Sequence, residues 1–322
     1  MIEEHRTNRR ETGGGAEASA AGPNALPGGV DALMAHRAAR AGCTVLITGE
    51  TGVGKGWLAR WIHDRSPRAR GPFVPVNCGA IPDSIIDSHL FGHARGSFSG
   101  ATREHPGMIR SAAGGTLLLD EVSELPFSAQ VRLLRLLQEH DVQPVGFSRP
   151  VVVDVRIVAA TNVDLNAAVS NGRFREDLLY RLDVVRLHVK PLRERLEDLS
   201  ALIHEFNAEF AAMHNRNPLE FAPEALQTLH RYHWPGNIRQ VRTVLERLHV
   251  LCPHDLINAE DLAHTGGLRG LDNGASLQSI DQVRLDHVRH VLQQSDGSIS
   301  RAADSLGVHR STLYRWLRDQ RD

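Results

Sequence analysis

Cysteine is scarce. The three in the 322-residue chain, Cys43, Cys78 and Cys252, lie far apart and form no C-x-x-C spacing. That excludes a disulfide framework and a cysteine-based zinc site, and it favours a reducing compartment. No apolar run approaches the roughly 20 residues that a membrane helix requires. The opening "MIEEHRTNRRETGGG" has none of the apolar core of a secretory leader. A soluble, cytoplasmic protein without membrane contact is expected. Charge of one sign is not in excess either: 37 Lys and Arg face 38 Asp and Glu, for a net charge of −1. Any nucleic-acid contact must therefore come from a local basic surface rather than a global field. There is no internal repeat.

What is present is a chain long enough for two or three compact units, with 41% hydrophobic residues to fill them. Residues 1–29 are rich in Gly, Ala and Pro and cannot bury enough surface to offset chain entropy, so they are expected to form a flexible tail. From residue 30 the apolar runs "CTVLITG", "PFVPVNC", "GTLLLDEV" and "VDVRIVAATN" alternate with helical stretches, among them 57–64 and 129–140. Continuous apolar strands separated by helices predict an α/β unit with a parallel sheet covered on both faces, over 30–190. Amphipathic helices take over after "PLRER" and predict a helical lid over 191–263. The Gly-rich "TGGLRGLDNGAS" is a linker, 264–275, before a last helical module, 276–322.

The first strand runs into "GETGVGKG", comprising Gly49, Glu50, Thr51, Gly52, Val53, Gly54, Lys55 and Gly56. Between a strand and a helix this is a phosphate-binding loop: backbone N–H groups and a helix N-terminus surround phosphate oxygens while the Lys55 ammonium reaches the β and γ phosphates. Gly56 stands where most such loops place a Ser or Thr for Mg²⁺, so the ion is left to Asp120, water and phosphate. Asp120 and Glu121 end the strand "GGTLLLDEV", where open α/β sheets bind ligands. Asp120 is expected to hold Mg²⁺ and Glu121 to activate water. Thr161 and Asn162 end a further strand and suit sensing of the γ phosphate. Arg175 and Arg181, in "GRFREDLLYRL", read as arginine fingers. The bland alternatives are a structural turn, a solvated acidic turn and a solvated charged face.

Two segments lie outside that constellation. "FGHARGSFSGA", Phe91 to Ala101, places Phe98 on a Gly-flanked loop with no period that would bury it. The C-terminal "SDGSISRAADSLGVHRSTLYRWLRDQ" reads as a helix-turn-helix. Its second helix starts at His309 and turns Arg310, Thr312 and Arg315 outward for a major groove; a plain helical hairpin is the alternative. Ile280, Leu285, Val288 and Leu292 look like a dimerising face. The pairs His230/His233 and His287/His290 lack a third metal ligand and are expected at the surface.

Together these motifs resemble the sigma-54-dependent transcriptional activators, bacterial enhancer-binding proteins of the AAA+ class, from about residue 30 to the C-terminus. The resemblance implies that the loop residues Gly96, Ser97, Phe98, Ser99, Gly100 and Ala101 contact sigma-54. Ser97 and Ser99 replace the alanine and threonine of the usual GAFTGA, and His89 and Arg110 stand where many members carry glutamate. It also implies that Asn77 holds Glu121 in check, that Thr161 and Asn162 form sensor I, that Arg175 and Arg181 act on a neighbour's ATP, and that Arg239 in "HWPGNIRQV" is sensor II. The tail resembles a Fis-type DNA-binding module. The function implied is an ATP-hydrolysing homo-oligomer, up to a hexamer, that binds enhancer-like upstream DNA and remodels sigma-54 RNA polymerase to open promoters. A DNA-binding regulator of the same ancestry without remodelling, acting as a repressor or with another sigma factor, is the rival. No sensory domain is read ahead of the ATPase segment, so control is expected from a separate regulatory protein or from expression level.

Overall fold

The computed structural model describes residues 28–97 and 101–264, together with 268, 299 and 301. Asp31 opens the first helix by accepting a hydrogen bond from the Met34 N–H, giving α1, Ala32–Arg40. Strand β1, Val45–Thr48, leads through the glycine loop into α2, Lys55–Asp64, which starts on Gly54 in the left-handed region at φ 100°. Then follow β2, Phe73–Asn77, and α3, Asp83–Phe91. The short α4, Gly107–Ser111, precedes β3, Thr116–Asp120, and α5, Phe127–Glu139. The two-residue strands β4, Asp141–Val142, and β5, Val151–Val152, pair as an antiparallel ribbon. Next are β6, Arg156–Thr161, α6, Leu165–Ser170, α7, Glu176–Leu182, and β7, Val185–His188.

Strands β2, β3, β6, β1 and β7 form one parallel sheet in that order. All six positions of β6 are buried, as a central strand covered on both faces requires. Alternation along the strands splits the core in two. Leu46, Leu117, Leu119, Ile157 and Ala159 pack with residues of α3, α5 and α7 on one face. Val45, Ile47, Leu118, Val158 and Ala160 pack with α1 and α2 on the other.

The helical part contains α8, Leu199–His214, α9, Pro223–Arg231, α10, Asn237–Leu251, and α11, Ala259–His264. Between them a minimal parallel pair, β8, Glu220–Phe221, and β9, Leu256–Ile257, was not foreseen from the sequence, because two residues carry no readable period. Two helices also begin two residues earlier than their apolar pattern suggests. Lys55 extends α2 because the glycine loop delivers the chain already turned, and Phe127 extends α5 because Pro126 precedes it. No helix among the described residues is long and apolar enough to cross a membrane.

The segment carrying Gly96 is held by backbone pairing at its base. His93 and His105 exchange two N–H to carbonyl bonds of 3.0 Å. The Ala94 N–H donates to the Val145 carbonyl at 2.8 Å, the Val145 N–H to the Gly92 carbonyl at 2.9 Å, and the Gly96 N–H to the Ala101 carbonyl at 2.7 Å. Phe91 ends α3 fully buried, with the Arg132 guanidinium 4.5 Å above its ring. Phe98, Ser99 and Gly100 lie outside the described residues.

The chain divides into two compact units between Gly267 and Leu268. The expected helix-turn-helix, with His309, Arg310, Thr312 and Arg315, and the expected dimerising face lie outside the described residues, as does the 1–27 part of the tail. His230 and His233 are exposed, and no group of three or more His, Cys, Asp or Glu side chains among the described residues could hold a metal ion.

Candidate nucleotide site

The C-terminal ends of β1, β3 and β6 present the loop, the two acids and Asn162 to the same side of the sheet, because parallel pairing aligns Thr48 with Thr161 and Asn77 with Asp120. Lys55 opens α2 and is mostly buried; its ammonium donates to the carbonyls of Gly49 at 2.8 Å and Glu50 at 3.0 Å. Burial pulls its pKa down. The carboxylates of Asp120 and Glu121 oppose that shift, and the Arg239 guanidinium adds to it. Three groups from two other parts of the sequence thus lie close enough to act on the Lys55 charge.

Asp120 accepts the Glu121 N–H at 3.0 Å. Glu121 itself takes the left-handed conformation, φ 55°, which turns its side chain off the strand direction. That carboxylate rests against Gly79: a Cβ there would sit 2.5 Å from Glu121 Oε2 and 3.5 Å from Asn77 Oδ1. Both side chains thus lie beside Gly79. Asn77 Oδ1, however, accepts from the Ala80 N–H at 3.2 Å, and no hydrogen bond joins the Asn77 and Glu121 side chains among the described residues. Asn162 Nδ2 donates to Thr51 Oγ1 at 3.0 Å, tying the end of β6 to the loop. A cleft of about 370 Å³ opens beside Gly49 and Glu50, walled by Thr48, Asn162, Asp164 and His188.

The helical part grips the loop from the other side. Gly52, at φ 81°, lies so close to the Gly236 carbonyl that a Cβ would approach it to 2.4 Å, and the Arg239 N–H donates to the Gly52 carbonyl at 3.3 Å. Asn237 is fully buried at φ 52°. It receives the Leu192 N–H at 2.8 Å and donates to both the Glu50 carboxylate and the Thr51 carbonyl at 3.1 Å. Arg193 pairs with Glu50 through two bonds of 2.6 and 2.9 Å, and the Arg193 contact followed by the Asn237 contact holds the Glu50 carboxyl below the usual range. The buried Arg195 donates to the Val53 carbonyl at 2.8 Å. Sequence reading named Arg239 and missed Asn237, Arg193 and Gly79. "HWPGNIRQV" was legible as a motif and "PLRER" as a boundary, but nothing local shows that their polar groups meet a loop more than a hundred residues away.

The two arginines are not brought together. Arg175 caps α7 and is held by Asp177 through bonds of 2.7 and 3.0 Å. Arg181 lies at the opposite end of α7 and lines a cavity of about 230 Å³ with Thr44, His140 and Arg156, near the starts of β1 and β6 and away from the chain's own glycine loop.

Three family models match in succession: the sigma-54 interaction domain over residues 31–188, the AAA+ ATPase lid domain over 193–269, and the bacterial regulatory protein, Fis family, over 283–319. Regulatory protein AtoC of Escherichia coli K12 is 41% identical over 286 residues, covering 86% of this chain and 62% of AtoC. The alginate biosynthesis transcriptional regulatory protein AlgB of Pseudomonas putida is 43% identical over 286 residues, covering 87% of this chain and 63% of AlgB. The chain thus spans under two thirds of the length of these curated relatives. The crystal structure of NtrX from Brucella abortus superposes with a TM-score of 0.70 at 34% identity, over 89% of this chain and 66% of that one, and NtrX has also been solved in complex with ADP and with ATP. On these matches and on the geometry above, the chain belongs to the sigma-54-dependent transcriptional regulators of the AAA+ class, with an AAA+ lid and a Fis-family segment following the sigma-54 interaction domain.

Proposed function

We propose that this chain hydrolyses ATP in a ring of identical subunits, up to a hexamer, and uses the cycle to remodel sigma-54 RNA polymerase from enhancer-like upstream DNA. The observation that carries the reading is that Lys55 donates to the Gly49 and Glu50 carbonyls and the Arg239 N–H to the Gly52 carbonyl, at the end of the sheet where Asp120 and Glu121 stand. The backbone of 49–56 and Lys55 bind the phosphates, Asn162 stands at the γ-phosphate side, and Arg239 reports lid closure. Glu121 takes the proton from the attacking water, and Asn77 meets it over Gly79 when it is idle. Arg175 and Arg181 stabilise transition-state charge in the neighbouring subunit.

The donor set also fits Mg²⁺. The ion needs few protein oxygens because it keeps waters and phosphate oxygens around it, and Asp120, with Glu121 beside it, supplies hard carboxylate oxygens at the strand end while Gly56 offers none. Bound there, it would neutralise charge on the phosphates.

The division of labour follows the chain: a tail at 1–29, ATPase core at 30–190, lid at 191–263, linker at 264–275, DNA-binding module at 276–322. Residues 96–101 touch sigma-54; His309, Arg310, Thr312 and Arg315 read or hold DNA. The location is cytoplasmic. The test is transcription in vitro from a sigma-54 promoter with purified chain. Open complexes that form with ATP and fail without it support the proposal. DNA binding with repression, and no open complex under either condition, would replace it with the rival reading.

A further inference from the structure

Gln130 is fully buried on α5, and its amide is engaged at both ends. Nε2 donates to the carbonyls of Leu125 at 2.8 Å and Arg173 at 3.1 Å, and Oε1 accepts the Arg175 backbone N–H at 2.9 Å. Leu125 closes the short turn Val122–Glu124 that Glu121 opens. Arg173 and Arg175 flank Phe174, whose ring is itself buried. One side chain therefore spans the backbone that carries Glu121 and the backbone that carries Arg175. A buried amide that releases either partner leaves a donor or acceptor unpaired, which costs more than an ordinary hydrogen bond contributes. A shift of the Glu121 turn is accordingly passed to the Arg175 segment rather than absorbed.

We infer that Gln130 is a positioning residue that sets Arg175 according to the state of its own protomer's nucleotide site, so that each site adjusts the finger offered to its neighbour. The inference rests on the proposed action of Arg175 in trans. Arg181, at the far end of α7, makes no hydrogen bond to Gln130 and falls outside this control.

Gln130→Met removes the three bonds while keeping side-chain length. ATP turnover should fall by about 10²-fold, the scale of a misplaced catalytic group, with binding of a fluorescent ATP analogue unchanged. The discriminating readout is a mixture. Gln130→Met keeps its pocket and loses its finger, whereas Lys55→Ala keeps its finger and loses its pocket, so mixed rings should recover turnover well above the sum of the two alone. An Arg175→Ala and Lys55→Ala mixture runs beside it. Recovery in both mixtures supports the inference. Wild-type turnover in Gln130→Met, or recovery with Arg175→Ala but not with Gln130→Met, overturns it. Failure of both mixtures in rings shown to be mixed overturns the trans reading and this inference with it. Should Gln130→Met not fold, Gln130→Leu, which likewise removes all three bonds, is read in the same way.

Discussion

Asn237 Nδ2 lies 3.1 Å from the Glu50 carboxylate, so a residue of the lid hydrogen-bonds a residue of the phosphate-binding loop. The same amide reaches the Thr51 carbonyl, and its oxygen takes the Leu192 N–H, so loop, lid and connecting segment share one buried side chain. Asn237→Gly keeps the positive φ and removes these bonds; Asn237→Ala adds backbone strain. Thermal unfolding should show a loss of about 1–3 kcal/mol for the glycine variant and more for alanine. The KM for ATP should rise in both. Equal stability of the two variants would show that the backbone at 237 is unstrained.

Glu121→Gln should retain nucleotide binding and lose turnover by about 10²- to 10⁴-fold, because the amide fits the space over Gly79 but takes no proton from water. Equilibrium binding and steady-state hydrolysis on the same preparation check both halves. Turnover within a few-fold of wild type would remove Glu121 from the reaction.

Phe98→Ala should leave the melting temperature and ATP turnover nearly unchanged, whereas truncating a buried phenylalanine costs about 3–5 kcal/mol. Capture of sigma-54 in the presence of ADP and aluminium fluoride should be lost. A large drop in melting temperature would place the ring in a core, and wild-type capture would move the contact elsewhere.

Stability should fall in mild acid. His63, His105 and His249 are each held below the ordinary histidine value, in every case first by burial; at His105 the neighbouring His93, His89 and Arg110 add to it. The unfolded chain takes up these protons before the folded one does. The stabilisation is therefore complete above the unfolded value of 6.5 and is lost as pH falls through it toward the folded values. Melting curves at about pH 8 and about pH 5.5 should differ, and His249→Gln should reduce the difference. No difference would mean that the three imidazoles titrate alike in both states.

The sheet and the centre of the site were legible because their signals are local. Four of the five strands that form the parallel sheet read as continuous apolar runs, and glycine spacing, a lysine and a strand ending in two acids are each contained in a few residues. β7 has only four residues and alternates exposed and buried positions, so it lacks the run that betrayed the others. The polar contacts that hold the site were illegible for a different reason. Asn237 meets Glu50 and Gln130 meets Arg175 only after the chain has folded, and neither side chain differs by type or neighbours from a solvated one. Asn77 was assigned by likeness to a family position; in the structure its side chain and that of Glu121 both lie beside Gly79, with no hydrogen bond joining them among the described residues.

The paired base of the segment around Gly96 also limits how far its tip can extend. Above the Gly96 to Ala101 hydrogen bond only residues 97–100 remain. A chain that must go out and come back spends half of them in each direction, and at about 3.3–3.6 Å per residue it rises no more than about 7 Å. The bonds at His93, Ala94 and Val145 prevent more chain from being paid out from below. Any greater extension would have to break or carry along the Gly92–Val145 pairing beneath it.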